Sequence, residues 1–163
     1  QLKELETCKN NLQTQFVESV VKKLAETFDE EIWKIKFPKT GSYFQLFKDI
    51  PGWGAPVHFE LYPTDRFPCE SIQVVLHTRE GKNARNNKTE RLYNLQVEVE
   101  DYIQKKYGQK EFEIDYENGL ELYNESLDKV FSVLKDVVEK FTNIVDDEIS
   151  LYARENRSIL SNK

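Results

Sequence analysis

Two short stretches decide the fold, VHFELY at residues 57–62 and IQVVLH at residues 72–77. Successive side chains of a strand point to opposite faces of a sheet, so each stretch presents apolar residues on one side and polar residues on the other. The connection between them, residues 63–71, is short and contains Pro63 and Pro68. Short connections join antiparallel neighbours, and we therefore expect these two strands to pair antiparallel.

The flanking sequence predicts further strands. Residues 33–37 (WKIKF) alternate apolar and charged residues, 43–47 (YFQLF) are almost all apolar, and 111–116 (EFEIDY) alternate again. A turn at 117–119 predicts that 120–122 fold back as a short sixth strand. Because the connections are short, the pattern indicates an antiparallel meander of about five strands.

Helical spacing marks three other segments. The segment from about 2 to 30 carries a row of apolar residues four apart, at Leu12, Phe16, Val20, Leu24 and Phe28. A middle helix is predicted at about 86–107, followed by Gly108, where a helix stop is favoured. The longest helical pattern runs from Leu127 to Tyr152, with Asn124 or Ser126 as its predicted N-cap.

These elements predict an α+β fold, with the helices packed on one face of the sheet. We divide the chain into an N-terminal helix at 1–30 and an α+β domain at 31–163. The first ten residues are mostly polar, with Leu2, Leu5 and Cys8 as their apolar members. The chain contains no methionine, not even at position 1, which leads us to expect a piece of a longer protein, with the first helix as a link or a partner-binding element.

Composition excludes several classes of protein. The net charge of −6 disfavours a general nucleic-acid-binding surface. Two cysteines without a pattern, Cys8 and Cys69, indicate a reducing, cytoplasmic setting rather than a disulfide scaffold. No apolar run approaches the roughly 20 residues of a membrane span. A Gly-rich phosphate loop, a nucleophile elbow and a Cys-x-x-Cys motif are all missing, so the sequence predicts no cofactor.

Polar side chains share one face of the two central strands. His58 and Glu60 are two residues apart, and His77 lies on the polar side of the neighbouring strand. In the right register these three converge, and two imidazoles with one carboxylate form a common kind of metal site. Because strand-borne ligands depend on that register, we favour an ordinary half-exposed polar face and predict no metal.

A second pattern is Asp65 followed 15 residues later by Glu80-Gly81-Lys82. It looks like the metal-binding signature of PD-(D/E)XK nucleases, in which two carboxylates hold a divalent ion and the lysine helps to activate water. In that family the Glu-x-Lys lies inside an apolar strand, whereas Gly81 places it here in a turn. Asp65, Glu80 and Lys82 are the candidate catalytic residues of this rival interpretation.

A basic loop interrupts the acidic sequence. From 79 to 91 the chain has a local net charge of +3, whereas from 111 to 149 the local net charge is −9. Such a loop binds a phosphate backbone weakly and in a salt-dependent way, or is simply solvated. The candidate nucleic-acid ligands are Arg79, Lys82, Arg85, Lys88 and Arg91, with stacking from Trp53 and Phe67 if these are exposed.

The order of these features resembles the poorly characterised C-terminal accessory domains that follow PD-(D/E)XK nuclease cores in bacterial defence and restriction-like proteins. The resemblance covers the layout of residues 43–149 and implies an accessory, DNA-associated module; it transfers no catalytic residues. It is carried by Trp53, His58, Phe59, Glu60, Leu61, Val75, Leu76, His77 and the loop 81–87.

We therefore expect a non-catalytic accessory domain of a larger intracellular, bacterial protein. It would act through protein–protein contacts of its terminal helices, with another protein or with a second copy of itself, and without a membrane. The alternatives are a weak DNA-associated module and a metal-dependent PD-(D/E)XK-like nuclease fragment.

Overall fold

A computed structural model of the chain describes residues 2–37, 43–63, 71–78 and 87–161. Within these ranges, side chains are described from residue 12 onward, except at 87–90, 152 and 155–161. The described residues form three helices and five strands. In order they are α1 (Leu2–Thr27), β1 (Trp33–Lys36), β2 (Phe44–Lys48), β3 (Val57–Pro63), β4 (Ser71–Thr78), α2 (Asn87–Tyr107), β5 (Glu111–Glu113) and α3 (Leu120–Ser161).

The strands form one antiparallel sheet in the order β1-β2-β3-β4-β5, which confirms the predicted α+β meander. Phe59 of β3 lies opposite Leu46 on one side and Leu76 on the other. All three are buried, because the register aligns the apolar face of each strand with that of its neighbours. The sheet therefore has one continuous apolar face.

All three helices contribute to a single core on that face. The row predicted on α1 is buried from Phe16 onward, and the Phe16 ring packs edge-on against Phe44 of β2, with centroids 6.3 Å apart. From α2, the side-chain oxygen of Gln96 accepts hydrogen bonds from both the backbone and the hydroxyl of Thr78. The second half of α1 is thus part of the folded domain.

Helix α3 differs from its prediction at the start. It begins at Leu120, so the short sixth strand predicted at 120–122 is wrong. Ser126 is not an N-cap either: its hydroxyl donates to the Tyr123 carbonyl and accepts from the backbone N–H of Asp115. At 42 residues α3 is long, but none of the helices described has a stretch apolar enough to cross a membrane.

The loop between β2 and β3 packs against the middle of α3. The indole Nε1 of Trp53 donates to Asp146 Oδ1 at 2.8 Å, and Lys48 Nζ donates to Asp146 Oδ2 at 2.5 Å. Trp53 is 7% exposed and packs edge-on against Trp33. At Gly52 the chain passes so close to the side chain of Ile149 that there is no room for a Cβ. The Trp-containing turn is therefore held by the helix.

Candidate functional site

A groove lies between α1 and the start of α3. Phe16 is the first residue of the α1 row to be buried, and Leu12, one turn earlier, is 41% exposed. On the other side, Leu120 begins α3 and is 74% exposed. The space between them has a volume of about 190 Å³ and opens to solvent. Its lining residues are Leu12, Gln15, Tyr116, Gly119, Leu120 and Tyr123.

The groove is lined mainly by apolar and aromatic side chains, and the sequence that forms one side of it is acidic. The rings of Tyr116 and Tyr123 stack in a tilted arrangement with centroids 5.8 Å apart. No Lys or Arg occurs in the sequence between Lys110 and Lys129, whereas that segment carries seven acidic residues. The Asn118 side chain and backbone donate to Asp115 and lower the pKa of its carboxyl, so Asp115, next to the lining residue Tyr116 in the sequence, stays charged. The segment that supplies Tyr116, Leu120 and Tyr123 to the groove is therefore strongly acidic.

A second cluster lies on the opposite face of the sheet. Residues His58 and His77 are direct partners in the β3–β4 register, and Glu60 lies two residues along from His58. One ligand atom from each of the three side chains lies within 4.8 Å of the other two. The structure thus brings together the three residues for which the sequence left the register open.

The burial of this cluster differs from the prediction. His58 and Glu60 were expected on a half-exposed face, but they are only 3% and 7% exposed, while His77 is exposed. β3 is the central strand, so His58 and Glu60 have neighbours on both sides. The turn at Gly54 also folds back over His58, and the Gly54 carbonyl lies 2.8 Å from His58 Nδ1. The expected polar face is therefore closed at its centre and open at His77.

A third polar group ties α2 to α3. The Asp136 carboxylate accepts hydrogen bonds from Tyr102, from Tyr107 at 2.6 Å and from Lys106 at 2.8 Å. Burial tends to raise the pKa of the Asp136 carboxyl, but these hydrogen bonds outweigh it and hold that pKa below its usual value. Lys140 lies over the Tyr102 ring, 4.8 Å from its centroid. Donors and acceptor satisfy one another, which is the pattern of a structural clasp.

The same contacts change the pKa values of the two donors Tyr107 and Lys106. Burial, and then the hydrogen bond to Asp136, raises the pKa of the Tyr107 hydroxyl to about 12. The hydrogen bond to Asp136 also raises the pKa of the Lys106 ammonium. Tyr107 stays neutral and Lys106 stays charged at ordinary pH, so the clasp is not a source of acid–base chemistry.

Most of the remaining predicted site residues lie outside the part of the chain that the structure describes. Asp65, Glu80 and Lys82 lie outside the described residues, as do Arg79, Arg85 and Phe67, and Lys88 is described only as part of the α2 backbone. Arg91, the last residue of the basic loop, points back to α3 and lies 3.6 Å from Glu148. Trp53 is buried, so it is not a stacking surface for a base.

Sequence reasoning missed the groove because it placed 120–122 in a strand. The signal was present, since Leu120, Tyr123 and Leu127 are spaced by three and four residues like the rest of α3. The alternation of Leu120 and Leu122 after the Asn-Gly turn fits a hairpin equally well. Leu122, on a different side of the helix, is 43% exposed.

Comparison with known proteins finds no match: no family model, no curated protein and no solved structure is significantly similar to this chain. The resemblance to nuclease-associated accessory domains therefore stays a prediction. Function has to be inferred from the groove and from the cluster on the opposite face.

Proposed function

We propose that this chain is a protein-interaction domain that binds a basic segment of a partner protein through the groove between α1 and α3. The observation that supports the proposal is the exposure of Leu120. This leucine is 74% exposed beside an apolar groove, and exposed apolar surface next to a groove is typical of a site that binds another protein. This is the accessory, non-catalytic role expected from the sequence, and it suits a cytoplasmic setting inside a larger protein.

The size of the groove favours a single anchoring side chain. A cavity of about 150 Å³ accommodates a benzene ring, whereas pockets for small organic ligands usually exceed about 300 Å³. At about 190 Å³ the groove fits one leucine or phenylalanine. Leu12 and Leu120 would flank that side chain, and the paired tyrosines would form its floor. An anchor of this kind is how an amphipathic helix docks in a groove.

Charge decides between two kinds of occupant. In a symmetric dimer the same surface of both copies meets across the twofold axis, so the acidic edges at 115–125 would repel each other. A partner with Lys or Arg beside its anchor would instead be attracted. The groove therefore suits a basic segment of a different protein better than a second copy of this chain.

The test selects partners without assuming a sequence. Random peptides displayed on phage are selected on the full chain, with counter-selection against Leu120→Gln, and the enriched peptides are synthesised and titrated by fluorescence anisotropy. We expect peptides with a large apolar residue flanked by Lys or Arg. They should bind the wild type at least about tenfold more tightly than Leu120→Gln, the loss of one buried apolar contact.

Three further variants locate the contact. Leu151→Gln makes the same change at another exposed leucine of α3 and should bind as the wild type does. The double variant Glu117→Gln/Glu121→Gln should weaken binding and reduce its salt dependence, whereas Glu139→Gln should not. Peptides that bind Leu120→Gln equally well, or that lack basic residues, would contradict the proposal. So would a dimer in light scattering that Leu120→Gln dissociates, because it would identify a second copy as the occupant.

A further inference from the structure

His58, Glu60 and His77 lie on the face of the sheet away from the helices, and the groove proposal does not involve them. His58 and His77 are directly opposite each other on neighbouring strands, with ring centroids 5.0 Å apart. The strand pairing itself holds the two imidazoles together. Their proximity is therefore built into the register of the two longest strands of the sheet, not into a loop.

The environment of His58 defines which of its nitrogens can bind a ligand. Nδ1 lies 2.8 Å from the Gly54 carbonyl, and because a carbonyl only accepts, Nδ1 carries the hydrogen. In the neutral ring Nε2 then presents a lone pair, and it points toward Glu60, with 3.8 Å between Nε2 and Oε2. A hydrogen bond from the second ring nitrogen to a backbone carbonyl is the usual support of a metal-binding histidine.

Glu60 places a negatively charged side chain in a buried position, which is energetically unfavourable. Its side chain is 8% exposed, and a carboxylate that leaves water needs a cation or several hydrogen bonds to compensate. On the neighbouring strands Glu60 lies opposite Gln45 and Val75, neither of which is charged. A divalent cation between Glu60 and the two imidazoles would provide that compensation.

We propose that His58 Nε2, one carboxylate oxygen of Glu60 and one ring nitrogen of His77 bind a divalent transition metal ion of the zinc class. Two nitrogen ligands and one oxygen ligand suit Zn²⁺, Ni²⁺, Co²⁺ or Cu²⁺, whereas Mg²⁺ and Ca²⁺ prefer shells made of oxygen. Three protein ligands leave one tetrahedral position for water, and the exposed His77 places that position at the solvent side.

The ligands need only a small movement to close on an ion. In a tetrahedral site with ligand distances near 2.0–2.1 Å, the ligand atoms are about 3.4 Å from one another. The three atoms here lie within 4.8 Å, so the widest pair closes by at most about 1.4 Å. His77 is exposed and free to rotate about its side-chain bonds, so it supplies most of that movement.

The alternative is a buried ion pair between a protonated His58 and Glu60, with no role for His77. The two interpretations differ in what His77 contributes. If His58 and Glu60 form only an ion pair, removing the His77 side chain should not affect them. If the cluster binds a metal, removing the His77 side chain takes away one of the three ligands. Only two histidines occur in the chain, so His77→Ala leaves a single imidazole.

The experiment uses the full chain without a purification tag and with Cys8→Ser and Cys69→Ser, since thiolates also bind Zn²⁺. Zn²⁺ affinity is measured by competition with a chromophoric chelator, Co²⁺ geometry by visible absorption, and Mg²⁺ serves as the control cation. We expect one Zn²⁺ per chain, a four- or five-coordinate Co²⁺ spectrum, and a thermal transition that Zn²⁺ raises. Mg²⁺ should produce none of these effects.

Variants assign the ligands. His77→Ala should lower Zn²⁺ affinity at least about a hundredfold, since even the loss of an outer-shell partner costs 10–100-fold. The metal-free melting temperature should stay unchanged, because the side chain is exposed. Gln73→Ala, on the same strand and face, should bind Zn²⁺ as the wild type does, and Glu60→Gln should weaken binding while keeping the size of the side chain. Absent Zn²⁺ binding, binding that survives His77→Ala, or equal binding of Mg²⁺ would each overturn the proposal.

Discussion

The first turn of α3 and its middle turns differ in how closely their side chains contact the rest of the protein. Asp136 and Asp146 are each engaged by side chains of a neighbouring element, and Ile149 is in contact with the loop at Gly52. Around Leu120, large apolar side chains remain in solvent beside a groove. Tyrosine pairs occur at both places, and at the middle turns Tyr102 and Tyr107 both donate to the Asp136 carboxylate of α3.

From this difference we expect the middle of α3 to maintain the fold and its first turn to be the part that binds a partner. Contacts in the middle are mutual and closely packed, so a substitution there should cost stability. Contacts at the start are few, so a substitution there should cost binding and leave stability intact. Three substitutions, ordered from the largest expected effect to the smallest, test this division.

Gly52→Ala should destabilise the protein most, by about 3 kcal/mol. The backbone at Gly52 has φ +94°, a conformation that costs an L-residue roughly 1–2 kcal/mol. A new Cβ would also overlap the Ile149 methyl group Cγ2, and overpacking typically costs a further 1–3 kcal/mol. Urea unfolding monitored by circular dichroism measures the change in the free energy of unfolding.

Gly119→Ala is the matched control. Gly119 has φ +105°, but no atom lies within 4 Å of the position its Cβ would take. It should therefore lose only the backbone contribution, about 1–2 kcal/mol. In an Ile149→Ala background the cost of Gly52→Ala should fall toward that of Gly119→Ala. Equal losses for Gly52→Ala and Gly119→Ala in the wild type would show that the loop does not depend on Ile149.

The sequence predicted the sheet well because the period of its strands is short and regular. Alternation in 57–62 and 72–77 assigned the buried face correctly, and Phe59 and Leu76 are among the least exposed residues. The start of α3 was predicted wrongly because Leu120-Glu121-Leu122 after Asn118-Gly119 satisfies a hairpin pattern as well as a helical one. Local pattern could not choose between them; packing of Tyr123 near Tyr116 does.

The two sites differed in how far the sequence could predict them. His58 and Glu60 were placed on one face by a spacing of two, but bringing His77 opposite them required a register that depends on the whole sheet. Their burial depends on a turn that folds back at Gly54, which no spacing indicates. The spacing of Leu120, Tyr123 and Leu127 indicates the helix on one side of the groove, but the groove itself depends on how that helix packs against α1, which no local spacing indicates.

Asp136→Asn should have the next largest effect, about 2 kcal/mol, because hydrogen bonds to a charged acceptor are worth more than neutral ones. The variant keeps the size of the side chain and loses the charge that holds Tyr107 and Lys106. Asp128→Asn is the control on the same helix, since the Asp128 side chain is 64% exposed and its ion pair with Lys23 should contribute under about 1 kcal/mol. Equal losses for the two variants would contradict a clasp at Asp136.

The pH dependence of stability provides a second readout of the clasp. Because the pKa of Asp136 is lowered on folding, its contribution is present above the unfolded value, about 3.9, and is lost as pH falls through the folded value. Because the pKa of Tyr107 is raised to about 12, its contribution is present below about pH 10 and is lost as pH rises through 12. In Asp136→Asn, the loss of stability at low pH should become smaller. The loss of stability at high pH should also become smaller but should persist, because burial is the larger cause of the raised pKa of Tyr107.

Leu120→Gln should have the smallest effect on stability, within about 0.5 kcal/mol of the wild type, although the same variant should lose peptide binding. Because Leu120 is 74% exposed, its side chain has few packing contacts to lose. Glutamine is also compatible with its position in the first turn of α3. Leu151→Gln, also at an exposed leucine, should be equally neutral in stability and should keep peptide binding. Both are measured by urea unfolding at pH 7. A loss above about 1 kcal/mol in Leu120→Gln alone would mean that the chain itself fills the groove, and the two parts of α3 would then have the same role.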